Sequence, residues 1–418
     1  MCNPAVPGTL CVGIGKEKTE MSTEKKDRRG MSSRAIHGGE PRNHYADSIT
    51  TPIFQTSTFV FKNSSDIEDY TKHNKEHFEY GRYGNPTELI AQKRLADLEG
   101  AQDCVVFSSG MMAITTTILS LVRTGDHIVI TDDSYKKTLE FCKSYLKRFG
   151  IECTIVPFGD YDTLEGAIKA NTRFIFSESP TNPYLNVFDL PLLKKIADRH
   201  NVMTLIDSTI ATPINQRPLE FGIDLVTHSA TKYLAGHNDI LAGAVLGREE
   251  LIAPIRNLHK SMGGLIDPHC CYLLLRGLKT FPMRVERQND TALEVARFLE
   301  GHPRVERVYY PMLESHQHHA IALEQMKGGG CVVTFEMKGD IDAAKRFMDA
   351  LEMIFIGPSF GGAETLITHP ATVSYYDYTR EERYELGIID TLFRLAVGLE
   401  DVDDIIGDLK QALDSSLA

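Results

Sequence analysis

An α/β fold, with a mostly parallel sheet of seven strands followed by a smaller α+β C-terminal domain, is predicted for this chain by three observations. Short apolar runs alternate with longer amphipathic stretches between residues 104 and 246. Glycine, hydroxyl and acidic residues gather just after those runs, where α/β sheets carry their binding loops. Beyond residue 302 the alternation becomes irregular, as in an α+β unit. At 418 residues the chain is long enough for two domains with substantial cores.

Residues 1–30 mix Lys and Arg with Glu and Asp and hold no apolar core of a secretory signal, so a flexible extension is expected. A cytoplasmic location follows, with an organelle address left open. From residue 31 to about 93 regular elements are few. Residues 51–61 read as extended and residues 66–70 as a helical turn. Glu79-Tyr80-Gly81-Arg82-Tyr83-Gly84-Asn85-Pro86-Thr87 is a glycine-punctuated loop in which Thr87 caps a helix running through Leu89, Leu95 and Leu98. Arg82 between two aromatics is either a surface residue or an anion ligand.

The seven strands are expected at residues 104–107, 127–131, 152–157, 173–178, 203–207, 223–227 and 242–246. Helices are expected from residue 110 to 122 and at residues 134–149, 161–170 and 190–200. After the first strand, Ser108-Ser109-Gly110-Met111 turns into a helix whose first N–H groups face the loop. Such a turn is a phosphate cradle or a plain helix cap. Four further loops follow strands: Asp132-Asp133-Ser134-Tyr135, Glu178-Ser179-Pro180-Thr181-Asn182-Pro183, the turn at Asp207, and Ser229-Ala230-Thr231-Lys232. No GxGxxG follows an early strand, which disfavours a nicotinamide cofactor.

Residues 256–264 read as a basic segment ending in glycine, and residues 268–302 as one long helix containing the boundary between domains. The domain division is expected at residues 94–288 and 289–418. In the second part strands are expected at residues 305–309, 330–337, 352–356 and 392–397, with helices at 318–325, 341–351 and 402–413. Arg394 inside an apolar strand must be paired or ligand-bound, because an isolated buried charge is too costly. His316-Gln317-His318-His319 reads as an exposed helix start, and no metal site is expected.

With 45 Lys and Arg against 57 Asp and Glu the formal charge is −12, which disfavours nucleic-acid binding. No apolar run reaches the length of about 18 residues that suggests a membrane span. Eight cysteines without CxxC or framework spacing read as reduced intracellular thiols.

An acid ending one strand and a lysine among hydroxyls after the next suit a cofactor with a basic ring nitrogen, an aldehyde and a phosphate. Pyridoxal phosphate has all three groups. Lys232 would react with the aldehyde, for which its amine must be neutral. Asp207 would hold the ring nitrogen protonated, or else simply cap the turn before Thr209. Tyr135 would stack on the ring, or else pack as a core aromatic. The Gly110 and Met111 N–H groups, with the Ser229 and Thr231 hydroxyls, would take the phosphate. Asn182 would donate to the ring oxygen, and Arg394 would clamp an amino-acid carboxylate.

Together these motifs, with Ser229-Ala230-Thr231-Lys232-Tyr233-Leu234-Ala235-Gly236-His237 and Arg394-Leu395-Ala396-Val397-Gly398-Leu399-Glu400, resemble the Cys/Met-metabolism family of fold type I pyridoxal phosphate enzymes from about residue 37 to the C-terminus. The resemblance implies that Lys232 binds the cofactor covalently and acts as base, with Tyr135 a second catalytic group. It also implies that Tyr80 and Arg82, on an arm of residues 31–93, reach the phosphate of a neighbouring subunit in a homotetramer of two catalytic dimers. Within the family the chain looks most like plant-type cystathionine γ-synthases, at Asp133-Ser134-Tyr135-Lys136-Lys137-Thr138, Pro358-Ser359-Phe360-Gly361-Gly362 and Val373-Ser374-Tyr375-Tyr376-Asp377. Lys137 stands where methionine γ-lyases usually carry cysteine. Pro358 stands where many bacterial synthases and cystathionine γ-lyases carry glutamate, and Ser359 beside it is a substrate contact. The implied reaction is γ-replacement on an O-activated L-homoserine by L-cysteine. Other γ-replacement or γ-elimination chemistry is the alternative, including that of an O-acylhomoserine sulfhydrylase or an enzyme making an unusual amino acid.

Overall fold

The computed structural model describes residues 29–40 and 42–416, so the extension expected over residues 1–30 lies outside the described residues except for its last two. The seven apolar runs form one sheet. They are β1 (Asp103–Phe107), β2 (His127–Thr131), β3 (Glu152–Val156), β4 (Thr172–Glu178), β5 (Met203–Asp207), β6 (Leu225–His228) and β7 (Gly243–Gly247), in the order β1-β7-β6-β5-β4-β2-β3. Only β7 runs against the others, inserted between β1 and β6. The remaining neighbours pair in parallel. β2, β6 and β7 are buried along their whole length, as expected for strands covered by helices on both faces. Because six strands share one direction, the loops after Phe107, Thr131, Glu178, Asp207 and His228 collect along a single edge.

A second sheet holds β8 (Val305–Tyr309), β9 (Val332–Met337), β10 (Phe355–Ile356), β11 (Leu366–Thr368) and β12 (Leu392–Ala396), in the order β10-β11-β12-β9-β8. The helices Phe281–Gly301 and Val402–Ser415 supply Val285, Val295, Leu299, Leu409 and Leu413 to the core cluster that includes Phe335 and Phe393. Those two rings stack 5.5 Å apart, and Phe347 meets Phe393 edge-on at 4.9 Å. Burial of each such side chain stabilises the fold by about 1.5–3 kcal/mol. No helix among the described residues is long and apolar enough to cross a membrane.

Several elements differ from the sequence reading. The helix expected over residues 268–302 is two helices, Pro268–Leu278 and Phe281–Gly301. Pro282 lacks the N–H that would continue the first helix, and its ring clashes with the carbonyl four residues back, so it opens a new one. Residues 134–149 divide into an α-helical turn at Lys136–Glu140, a wider turn at Phe141–Tyr145 and a tighter one at Leu146–Phe149. The basic segment at residues 256–264 is the end of the helix Glu249–Met262.

The strand expected at residues 352–356 shrinks to Phe355–Ile356. The Glu352, Met353 and Ile354 N–H groups donate to the Asp408 carboxylate, at 2.9, 2.9 and 2.8 Å, instead of to a neighbouring strand. β11 went unread because three residues carry too little periodicity. His316 is buried, not exposed, and its ring nitrogen lies 3.4 Å from the Tyr184 carbonyl.

Candidate active site

The loops after β1 and β6 meet first. Ser109 caps the helix Gly110–Leu121, its hydroxyl accepting the Met112 N–H at 3.1 Å. The Gly110 and Met111 N–H groups, in the first turn, are engaged by no hydrogen bond among the described residues. A Cβ on Gly110 would lie 2.9 Å from Ser229 Cβ, so only glycine lets the two loops approach this closely. The Ser229 hydroxyl is uncommitted among the described residues. The Thr231 hydroxyl is not: it donates to the Ala242 carbonyl at 3.1 Å and accepts the Ala242 N–H at 2.9 Å. Of the two hydroxyls expected to serve a phosphate, Ser229 is ready and Thr231 would have to exchange a backbone partner.

Asp207 ends β5 and is 8% exposed. Oδ1 accepts the Thr209 N–H at 3.0 Å and its O–H at 2.5 Å, so Asp207 does cap that turn. Oδ2 accepts no hydrogen bond among the described residues and remains for a ligand. Burial raises the Asp207 pKa, and the two Thr209 bonds oppose that rise.

Lys232 follows β6. Burial first, and then the positive charge of Arg394, hold its ammonium at a pKa of about 8, well below that of an ordinary lysine. Nζ donates to Ser359 Oγ at 2.7 Å and lies 5.1 Å from the centre of the Phe360 ring. Ser359 holds a φ of 108°, a conformation few side chains tolerate without strain. The loop behind it presses on the lysine's own loop: a Cβ on Gly361 would lie 2.6 Å from Tyr233 N.

Arg394, on β12, brings the second sheet into the site. Nη1 donates to Asn182 Oδ1 at 3.2 Å, and Nη2 to the Ser359 carbonyl at 3.0 Å and Thr368 Oγ1 at 3.3 Å. Nε is buried without a partner. A guanidinium with bonds still to make, in a cleft also lined by Tyr135, Lys136, Asn182, Thr368 and Tyr375, suits an amino-acid carboxylate. Lys136 donates to Asp377 at 2.7 Å and to the Ser374 carbonyl at 3.1 Å, so its charge is paired. Tyr135 is 45% exposed, which removes the alternative of a packed core aromatic. Its backbone N–H donates to Glu178 at 3.0 Å. Burial, reinforced by Asp207 and Asp133, pushes the Glu178 carboxyl well above the usual carboxylate range. Asp133 sits at a pKa of about 6 for the same first reason, although Thr181 and Asn186 donate to it.

Tyr80 and Arg82 are elsewhere in the chain's own packing. The Arg82 guanidinium lies between the Tyr80 and Tyr83 rings, 5.2 and 5.1 Å from their centres, and no hydrogen bond among the described residues joins it to Gly110, Ser229 or Lys232. The structure thus joins Lys232, Ser359, Asn182 and Arg394 by direct or shared contacts, and Gly110 with Ser229. Sequence reasoning missed Thr209 and Thr368 as members of the site, and it placed Glu178 in a site loop without giving it a role. Thr209 was visible only as part of a turn, and Thr368 belongs to the unread strand.

The residues present fit pyridoxal phosphate. Free N–H groups and a hydroxyl stand together where a phosphate could bind, an acid keeps one oxygen free for a protonated ring nitrogen, and burial lowers the lysine to a pKa of about 8.

The sequence profile of the "Cys/Met metabolism PLP-dependent enzyme" family matches residues 32–414. The chain is 46% identical over 384 residues to cystathionine gamma-synthase 1, chloroplastic, of Nicotiana tabacum, an alignment covering 91% of this chain and 71% of that protein. It is 42% identical over 388 residues to the L-methionine gamma-lyase of Fusobacterium nucleatum subsp. polymorphum, covering 92% of this chain and 98% of the relative. The crystal structure of metB from Corynebacterium glutamicum superposes with a TM-score of 0.86 at 34% identity, over 93% of this chain and 98% of that one.

Proposed function

This chain belongs to the Cys/Met metabolism PLP-dependent enzyme family, whose cofactor is pyridoxal phosphate, and from that premise we propose that it is a cystathionine γ-synthase, joining an O-activated L-homoserine to L-cysteine to give L-cystathionine. Its likeness over nearly the whole chain to the tobacco synthase supports this reading most. Pro358 beside Ser359 adds to it, because no acid stands there to hold the distal amine of cystathionine for cleavage.

In this reading Gly110, Met111 and Ser229 bind the phosphate, Asp207 the ring nitrogen and Lys232 the aldehyde carbon. Bound there, the cofactor supplies an electron sink for charge developing on the substrate carbons. Arg394 and Asn182 fix the substrate carboxylate. Lys232, with a pKa near 8, is unprotonated in a useful fraction at neutral pH and takes the proton first from Cα and then from Cβ. The ester oxygen leaves Cγ with its acid anion, the cysteine thiol attacks the same carbon and gives its proton to that anion, and Lys232 then returns protons to Cβ and Cα, so that both carbons regain the hydrogens they lost. Ser359 holds Nζ on the substrate side, and Tyr135 acts on the incoming amine or the leaving group.

Residues 31–93 serve as an arm to a neighbouring subunit, residues 94–288 as the cofactor domain and 289–418 as the C-terminal domain, in a cytoplasmic homotetramer. The exposure of Tyr45, Ile49 and Val60, at 73%, 92% and 84%, supports an arm that finishes its packing on another copy. The Arg82 guanidinium rests on Tyr80 and Tyr83 and forms no ion pair with a carboxylate among the described residues, which supports an anionic ligand for it across that contact.

A γ-elimination enzyme is the second reading, favoured by the match to 98% of the Fusobacterium lyase. The test is to incubate the enzyme with O-phospho-, O-succinyl- and O-acetyl-L-homoserine, each with and without L-cysteine, and identify products by mass. Cystathionine is expected in the cysteine reactions. Formation of 2-oxobutanoate there with no cystathionine overturns the synthase reading.

A further inference from the structure

Thr209 stands between the two ends of the cofactor site. Its hydroxyl proton goes to Asp207 Oδ1 at 2.5 Å, and the Thr209 Oγ1 itself accepts the Ser229 N–H at 2.8 Å. Its own N–H goes to Asp207 Oδ1 at 3.0 Å. One buried side chain, 7% exposed, therefore ties the acid ending β5 to the first residue of the Ser229-Ala230-Thr231-Lys232 loop after β6. The β5–β6 register places Asp207 opposite Thr227, two residues before Ser229, so the tie closes the gap just past the last pair of the sheet.

We propose that Thr209 is a positioning residue for the cofactor, whose hydroxyl aims Asp207 Oδ2 at the ring nitrogen, stabilises the charged carboxylate, and locks that acid in register with the Ser229 phosphate loop. With both Thr209 bonds on Oδ1, the carboxylate cannot rotate without losing them, and the oxygen left over is the one that meets the ligand. The chain Ser229 N–H to Thr209 O–H to Asp207 is cooperative, since a hydroxyl that accepts becomes a better donor. The titratable groups facing Asp207 are Glu178 on β4, whose own ionisation Asp207 disfavours, and His228 on β6, which favours that of Asp207 and is itself bonded to the buried Glu99 at 3.0 Å. Loss of the Thr209 hydroxyl removes a bond that favours the carboxylate, so Asp207 would protonate at a higher pH.

The inference rests on the cofactor and not on the synthase reading, so a lyase would show it equally. The test is equilibrium dialysis of the purified enzyme with pyridoxal phosphate from pH 5.5 to 9, for the natural protein, Thr209→Val, Thr209→Ala and Thr209→Ser, with thermal melting to confirm folding. A hydrogen bond to a charged group predicts about tenfold or greater weakening of cofactor affinity in Thr209→Val and Thr209→Ala at pH 7. The pH below which the cofactor is lost should also move upward, and Thr209→Ser should restore both. In an Asp207→Asn background, Thr209→Val should add little further loss. Natural affinity in both Val and Ala variants, an equal loss in Thr209→Ser, a loss independent of pH, or a full further loss in the Asp207→Asn background would each overturn the proposal.

Discussion

Replacing Arg394 by Met should separate substrate recognition from cofactor binding. A guanidinium has five N–H donors, and in Arg394 three are spent on Asn182, the Ser359 carbonyl and Thr368. Two remain for the substrate carboxylate, one of them the buried Nε. Two charge-assisted bonds at about 1.5 kcal/mol or more each make about 3 kcal/mol, and a 1.4 kcal/mol loss is tenfold, so kcat/KM should fall by about 100-fold or more. The substitution leaves three acceptors without a donor, so thermal melting must show that the variant is folded. The assay is steady-state turnover of the preferred homoserine ester, run beside the same ester lacking its α-carboxylate. The variant should lose its advantage only on the natural ester and should retain the cofactor. A folded Met variant within about fivefold of the natural enzyme, or equal losses on both substrates, would refute the carboxylate-clamp assignment.

Lys232→Ala should lose turnover and the visible absorbance of covalently held cofactor, and retention of both would remove Lys232 from the mechanism. In the natural protein stripped of cofactor, only the neutral amine reacts. The rate of covalent pyridoxal phosphate addition, followed by absorbance, should therefore rise with pH and level off above about 8, and a rise continuing to the ordinary lysine range would contradict the burial effect. Asp408→Ala strips the partner from three consecutive backbone N–H groups, so chemical denaturation should show a loss of about 2–4 kcal/mol, and a loss under 1 kcal/mol would mean water replaces the carboxylate.

Legibility in the sequence was uneven, for reasons particular residues make plain. The seven strands of the large sheet were readable because runs such as residues 127–131 and 203–207 are apolar on both faces, a local property of a buried parallel strand. Pro282 was equally visible but was read through, and the helix break there needed only the proline's missing N–H. The shortened β10 was not visible, because what competes for its N–H groups is Asp408, more than fifty residues away. Tyr135 and Thr231 show the same limit within the site. Ring exposure and the carbonyl that claims a hydroxyl depend on neighbours that spacing along the chain does not specify.

By itself the sequence determined the order of strands and helices, and with it the edge where Gly110, Tyr135, Asn182, Asp207 and Lys232 stand. It also carried the cofactor chemistry, because an acid, a lysine and a glycine-led helix start are each written in adjacent residues. Only the tertiary structure decided which atoms meet: Lys232 with Ser359, 127 positions away, Arg394 with Asn182, 212 positions away, and Thr209 with both Asp207 and Ser229. Periodicity reports which face of an element is buried. Contacts between faces arise only when the second sheet packs against the first, and there burial sets Lys232 near a pKa of 8 and leaves Arg394 with bonds still to make.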